Sequence, residues 1–111
     1  MVKSRLASVC SLLNKHRVQY LVVGAQAGIL HGLVRTTKDI DVFLKKTPSN
    51  ISKALQALSH LPFQIAKEID PEEVLKKPIT VIGDSPRVDL LTALAQVTFD
   101  QVWRKKIYPN Q

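Results

Sequence analysis

The chain has 111 residues, 45% hydrophobic and 23% charged, which is the length and make-up of one folded domain with one core rather than of a disordered tail. Its single cysteine, Cys10, excludes an internal disulfide and a cysteine metal cage, and no apolar run approaches the ~20 residues needed to span a bilayer. The net charge of +7, from 16 basic against 9 acidic residues, favours anionic partners, but one Trp, two Tyr and three Phe make a poor stacking platform for single-stranded nucleic acid.

The first stretch, MVKSRLASVCSLLNKHR, has interrupted apolar residues and no h-region, so it reads as a helix and not a signal peptide, consistent with a reduced cytoplasmic setting. Leu6, Val9, Cys10 and Leu13 recur at helical spacing and predict a helix over 3–15. Ser4 is its expected N-cap, and Lys15, His16 and Arg17 suit the negative end of its dipole. Cys10 lies on the apolar face as a structural thiol. Tyr20–Val23 is a continuous apolar run that stops at Gly24, the pattern of a buried strand. A helix over 25–31 follows, with the small residues Ala25, Ala27 and Gly28 on it, Gly32 as its C-cap and His31 as a capping residue in its last turn.

Asp39–Leu44 is the second predicted strand. After a polar turn over 45–49, Ser49 or Asn50 is expected to cap a helix over 51–59 that turns Ile51, Leu55 and Leu58 to the core, with His60 structural at its end. A short strand is expected over 62–66. Asp70-Pro71-Glu72-Glu73 predicts a short helix: the aspartate caps, proline takes the first position, and the acids meet the positive dipole end. Ile79–Ile82 and residues 88–91 flank the turn cluster Gly83-Asp84-Ser85-Pro86-Arg87 and predict an antiparallel hairpin. Thr98 and Gln101 form a capping box for a last helix over 99–105, with Phe99 and Trp103 on the core, and 107–109 looks like the start of a further strand.

Strand alternation predicts that Asp39 and Asp41 face the same way, about 6.5 Å apart, while Ile40, Val42 and Leu44 face the core. Two carboxylates on one face of so apolar a strand repel each other, and a divalent cation with a preference for hard oxygen ligands reverses that balance. Asp89, isolated in Arg87-Val88-Asp89-Leu90-Leu91, can supply a third carboxylate if its strand lies beside the first. Three carboxylates can hold two metal ions, one at the attacking oxygen and one at the leaving phosphate, with Asp89 as base or as ligand near the attacking oxygen. At the strand-to-helix turn, Gly24, Ala25 and Gln26 offer backbone N–H groups to a phosphate chain, and Arg35, Thr37 and Lys38 can grip its oxygens. The bland alternative is a salt bridge from Arg35 to Asp39 or Asp41.

The run YLVVGAQAGILHGLVRTTKDIDVFL resembles the start of the polymerase-beta-like nucleotidyltransferase superfamily, and more narrowly the small bacterial proteins related to abortive-infection and toxin–antitoxin nucleotidyltransferases. The shared pattern is a strand, a Gly-Gly or Gly-Ser turn (here Gly24-Ala25), a helix, then Arg-x-Thr-x-Asp-x-Asp, here Arg35 to Asp41. Val88-Asp89-Leu90-Leu91-Thr92-Ala93-Leu94, with Val97-Thr98-Phe99 and Trp103, is similar to the same group after its third carboxylate. The resemblance implies an α+β fold, with a mixed sheet of about four or five strands flanked by helices. It also implies Mg²⁺ (or Mn²⁺), two ions, at Asp39, Asp41 and Asp89, and transfer of a nucleoside monophosphate from an NTP such as ATP to a hydroxyl on a protein, a tRNA or a small molecule.

Ala25 departs from the second glycine of the pattern, and the chain stops at Gln111 where relatives usually continue. The expectation is therefore a single minimal domain over 1–111 without the usual C-terminal extension, with three alternatives open: a truncated chain, a minimal subunit that needs a partner subunit or forms a homodimer, or a degenerate member. The rival expectations are an inactive nucleotidyltransferase-like antitoxin or regulatory module, favoured by Ala25 and the short C-terminus, and a basic nucleic-acid-binding domain, favoured by net charge alone.

Overall fold

A computed structural model describes residues 5–23, 39–93 and 98–100. Helix α1, Arg5–Lys15, buries Val9 and Leu13. It ends in a Schellman arrangement: Arg17 adopts a left-handed φ of 58°, its N–H donates to the Asn14 carbonyl at 3.0 Å, and the Val18 N–H donates to Leu13 at 3.0 Å. Leu13 and Val18 both join the core, so the cap also aims the chain into strand β1, Tyr20–Val23. The His16 ring meets the Leu12 carbonyl through Nδ1 at 3.0 Å, the capping role expected of it.

Strand β2, Asp39–Leu44, is followed by helix α2, Pro48–Leu58. Thr47, rather than Ser49 or Asn50, is the N-cap: its hydroxyl accepts from the Asn50 N–H at 3.2 Å. Pro48 sits at the first helical position, where its missing N–H costs nothing, and this sets the start three residues before the expected one. Asn50 is thereby drawn into the interior, where its amide joins two strand ends. Oδ1 accepts from the Gln19 N–H at 2.8 Å, and Nδ2 donates to the carbonyls of Gln19 at 2.9 Å and Lys45 at 3.0 Å.

The expected strand over 62–66 does not form. Gln64 is left-handed, with φ 56°, and Ile65–Glu68 is a 3₁₀ turn. Asp84, in the hairpin turn, supplies the reason. Its Oδ1 accepts from the Phe63 N–H at 2.8 Å and the Ser85 N–H at 2.7 Å, and Oδ2 accepts from the Ile65 N–H at 3.1 Å. Amides that a strand would offer to a ladder are taken by one buried carboxylate. Burial by itself would raise the Asp84 pKa, but the N–H groups of Phe63, Ser85, Ile65 and Gln64 outweigh it and hold the carboxyl below its ordinary range.

Helix α3, Pro71–Lys76, starts as expected: the Asp70 side chain accepts from the Glu72 N–H, Pro71 opens the turn, and Glu72 and Glu73 fill it. Strands β3, Ile79–Ile82, and β4, Arg87–Leu91, form the antiparallel hairpin. Thr92 fastens its open end, donating to the Lys77 carbonyl at 2.6 Å.

The sheet order is β1-β2-β4-β3, with β2 and β4 parallel and the two outer pairings antiparallel. The fold is thus a mixed four-stranded sheet with helices, the expected α+β class. Helices α1, α2 and α3 pack on one face, against Ile40, Val42, Leu44, Ile82, Val88 and Leu90. The opposite face carries a smaller cluster of Leu21, Phe43 and Phe99, with Val23 and Leu91 against it. Phe43 and Phe99 meet edge to face, 5.4 Å between ring centroids. Phe99 and Asp100 are helical, as expected for the last helix; the rest of that helix with Trp103, the 25–31 helix and the 107–109 strand start lie outside the described residues. No described helix is long and apolar enough to cross a membrane.

Candidate active site

Two strands that touch in the middle of the sheet bring the carboxylates together. Parallel pairing of β2 with β4 sets Asp41 opposite Asp89 and Asp39 opposite Arg87. Neighbouring strands lie about 4.8 Å apart, so Asp41 and Asp89 are side by side. The cause is the alternation of each strand. Ile40, Val42, Val88 and Leu90 are buried under the helices, which commits Asp41 and Asp89 to the other face. Val23, at the end of β1, flanks Asp41 on its far side.

The face is only partly wet. The Asp89 side chain is 16% exposed, and it is held by Arg87, two residues earlier on the same strand and 48% exposed. Nε donates to Oδ1 at 2.9 Å and Nη2 to Oδ2 at 3.3 Å, a fork on both carboxylate oxygens. Arg87, expected in the hairpin turn, is instead the first residue of β4. Its spacing of two from Asp89 along a strand was the available signal, since that spacing places both on one face. At the other end of the same face, Phe43, Leu21 and Phe99 make an apolar floor.

The described part of the expected site is therefore Asp41 and Asp89 in register, with the Asp39 backbone paired to that of Arg87. Gly24, Ala25, Gln26, Arg35, Thr37 and Lys38, and the Asp39 side chain, lie outside the described residues. Among the described residues no cluster of three or more His, Cys, Asp or Glu groups is placed to hold a metal; two of the three expected ligands, Asp41 and Asp89, fall within that set. Their chemistry suits a hard divalent ion: both are carboxylates, both are anchored on strands, and their lateral separation is set by the ladder rather than by loops.

Other titratable groups are placed by structural work. Glu73 pairs with Lys77 one turn on, at 3.8 Å, on the exposed side of α3. His60 stands near His16, rings 5.4 Å apart. Cys10 is half-buried on α1. None of these is close in the sheet to Asp41 or Asp89.

No curated protein and no solved structure matches the chain. A family model does, over residues 4–95, a span that includes the four described strands with Asp39, Asp41 and Asp89, and the sequence from Gly24 to Lys38. The chain belongs to that family, described as a nucleotidyltransferase of unknown function (DUF6036).

Proposed function

We propose that the protein is a metal-dependent nucleotidyltransferase of the polymerase-beta-like kind, moving a nucleoside monophosphate from an NTP to a hydroxyl acceptor. The observation that carries this reading is the register of Asp41 with Asp89 across β2 and β4, in a chain of a nucleotidyltransferase family. Asp39, Asp41 and Asp89 would hold two Mg²⁺ or Mn²⁺ ions, which supply Lewis acidity at the α-phosphate and a more acidic attacking hydroxyl. In this reading Asp89 would take the hydroxyl proton, or hold the metal at the attacking oxygen, as the new P–O bond forms, while the bond from the α-phosphorus to the bridging oxygen breaks and pyrophosphate leaves. The strands fix the separation of the two carboxylates before substrate arrives, so little reorganisation is left for the reaction itself. In this reading Gly24, Ala25 and Gln26 present backbone N–H groups to the triphosphate, and Arg35, Thr37 and Lys38 hold its oxygens.

A cytoplasmic protein related to the abortive-infection and toxin–antitoxin nucleotidyltransferases, acting on a protein, tRNA or small-molecule hydroxyl, alone or with a partner subunit, is the matching biological setting. One observation favours a second reading, an inactive antitoxin or regulatory module: Ala25 puts a methyl group where the close approach of a phosphate chain calls for glycine.

Incubation with α-labelled NTPs and Mg²⁺ or Mn²⁺, followed by a search for label on the protein itself and on cell extract, separates the two. Transfer that disappears in Asp39→Ala with Asp41→Ala supports the enzyme. Transfer that survives this double substitution would sink the site. Tight nucleotide binding with no transfer to any acceptor favours the regulatory module.

A further inference from the structure

We propose that Arg87 is a displaceable counter-ion of the carboxylate site: it holds Asp89 while no divalent ion is bound, and passes to a phosphate oxygen of the nucleotide when the site loads. This rests on the nucleotidyltransferase reading above. Three observations carry it. Asp89 stands in register with Asp41, so a second anion lies beside it on the same face. Both of its oxygens are engaged by one guanidinium, Oδ1 by Nε at 2.9 Å and Oδ2 by Nη2 at 3.3 Å. The pair is also unequal in depth: the carboxylate is 16% exposed and the guanidinium 48%, so the cation approaches from the open side of the site.

An ion bound by Asp89 needs an oxygen that Arg87 now shares, and brings two positive charges to within a few ångströms of a third. Like charges at that distance, on a half-buried face, disfavour each other. The guanidinium therefore weakens metal binding in the free protein. Val88, between the two residues, is fully buried and anchors the strand independently of the pair. A planar fork that fits a carboxylate also fits a phosphate. A nucleotide arriving with its metal thus supplies both the cation that takes over Asp89 and the anion that receives Arg87. Metal and nucleotide then assist each other's binding, by the same factor in either direction.

The test is Mn²⁺ binding, followed by electron paramagnetic resonance with and without a non-hydrolysable NTP analogue, in the wild type, Arg87→Gln, Arg87→Lys and Asp89→Asn. Arg87→Gln is expected to bind Mn²⁺ about tenfold more tightly than wild type without nucleotide, and the analogue about tenfold more weakly. Arg87→Lys keeps the charge but not the fork, and is expected to fall between them. It also keeps the question decidable if the glutamine variant does not fold. Mn²⁺ affinity that is unchanged or lower in Arg87→Gln, yet lost in Asp89→Asn, would overturn the counter-ion role and leave the carboxylate site standing. Tighter Mn²⁺ binding with unchanged analogue affinity would overturn the hand-over to phosphate. Absence of Mn²⁺ binding in both the wild type and Arg87→Gln, or binding indifferent to Asp89→Asn, would overturn the inference together with the site.

Discussion

The β1–β2 pair has two ends, and they treat polar atoms in opposite ways. Where Tyr20 meets Leu44, the Asn50 amide fills the space just beyond the strands and spends its hydrogen bonds on Gln19 and Lys45. It is 4% exposed and saturated by backbone. Where Val23 meets Asp41, the next strand over contributes Asp89, and two acceptor-only groups stand side by side. A polar group whose partners are all built into the fold is doing structural work. Carboxylates set against each other call for cations: Arg87 answers at Asp89, and the proposed divalent metal would add to it. Asp84 sharpens the contrast: it is a carboxylate too, but its partners are backbone amides, which place it with Asn50.

The comparison breaks if the two ends respond alike to substitution. The largest effect is expected at the carboxylate end. Asp41→Asn and Asp89→Asn should each lower nucleotidyl transfer on the order of 10³-fold or more, corresponding to several kcal/mol of lost transition-state stabilisation. Asp41→Asn should leave urea stability close to unchanged, and Asp89→Asn, which removes a like-charge neighbour but also the fork from Arg87, should cost no more than about 1 kcal/mol. A loss of activity that merely follows a loss of folding would erase the distinction. At the opposite end, Asn50→Ala strands the Gln19 N–H, while the Gln19 and Lys45 carbonyls each fall back on one backbone N–H, from Lys45 and Thr47. It should cost about 2 kcal/mol in chemical denaturation and leave the activity per folded molecule near wild type.

Asp84→Asn should cost about 2 kcal/mol, since an amide cannot accept from three N–H groups as a carboxylate does. Its pH dependence follows from the direction of its shift. The folded pKa is depressed, so the stabilisation is complete above the ordinary Asp value of about 3.9 and is lost as pH falls from there through the folded value. Denaturation midpoints measured down this range should fall less steeply in Asp84→Asn than in wild type. The smallest effect is expected at Thr80, whose hydroxyl is buried without a partner on the helix-covered face of β3. Thr80→Val should raise stability by about 1 kcal/mol, with no change in transfer.

Much of the fold is legible from periodicity. Tyr20–Val23 and Ile79–Ile82 are short apolar runs bounded by turn residues, and Asp39–Leu44 alternates; each forms a strand over those bounds. The start of α2 is not legible from capping preference alone, because Thr47, Ser49 and Asn50 are all good caps within four residues. Pro48 decides it by occupying the first helical position. The segment after α2 misleads for a tertiary reason: Phe63 and Ile65 give their amides to Asp84, a residue some twenty positions later. Of the candidate site, the D-x-D strand and the isolated aspartate are readable as anomalies in apolar strands. Their parallel adjacency is not, since nothing local says that β4 rather than β3 lies against β2. Arg87 could have been read from its spacing to Asp89, but the turn residues before it drew it into the loop.

The central claim is that Asp41 and Asp89 form a divalent-cation site rather than an incidental pair of acids. Thermal unfolding of the wild type and of Asp41→Asn with Asp89→Asn, each with and without millimolar Mn²⁺, tests it most directly, since an ligand that binds only the folded state raises the melting temperature. The account predicts a rise on adding Mn²⁺ to the wild type and none in the double variant. An equal rise in both proteins, or none in the wild type, would contradict it.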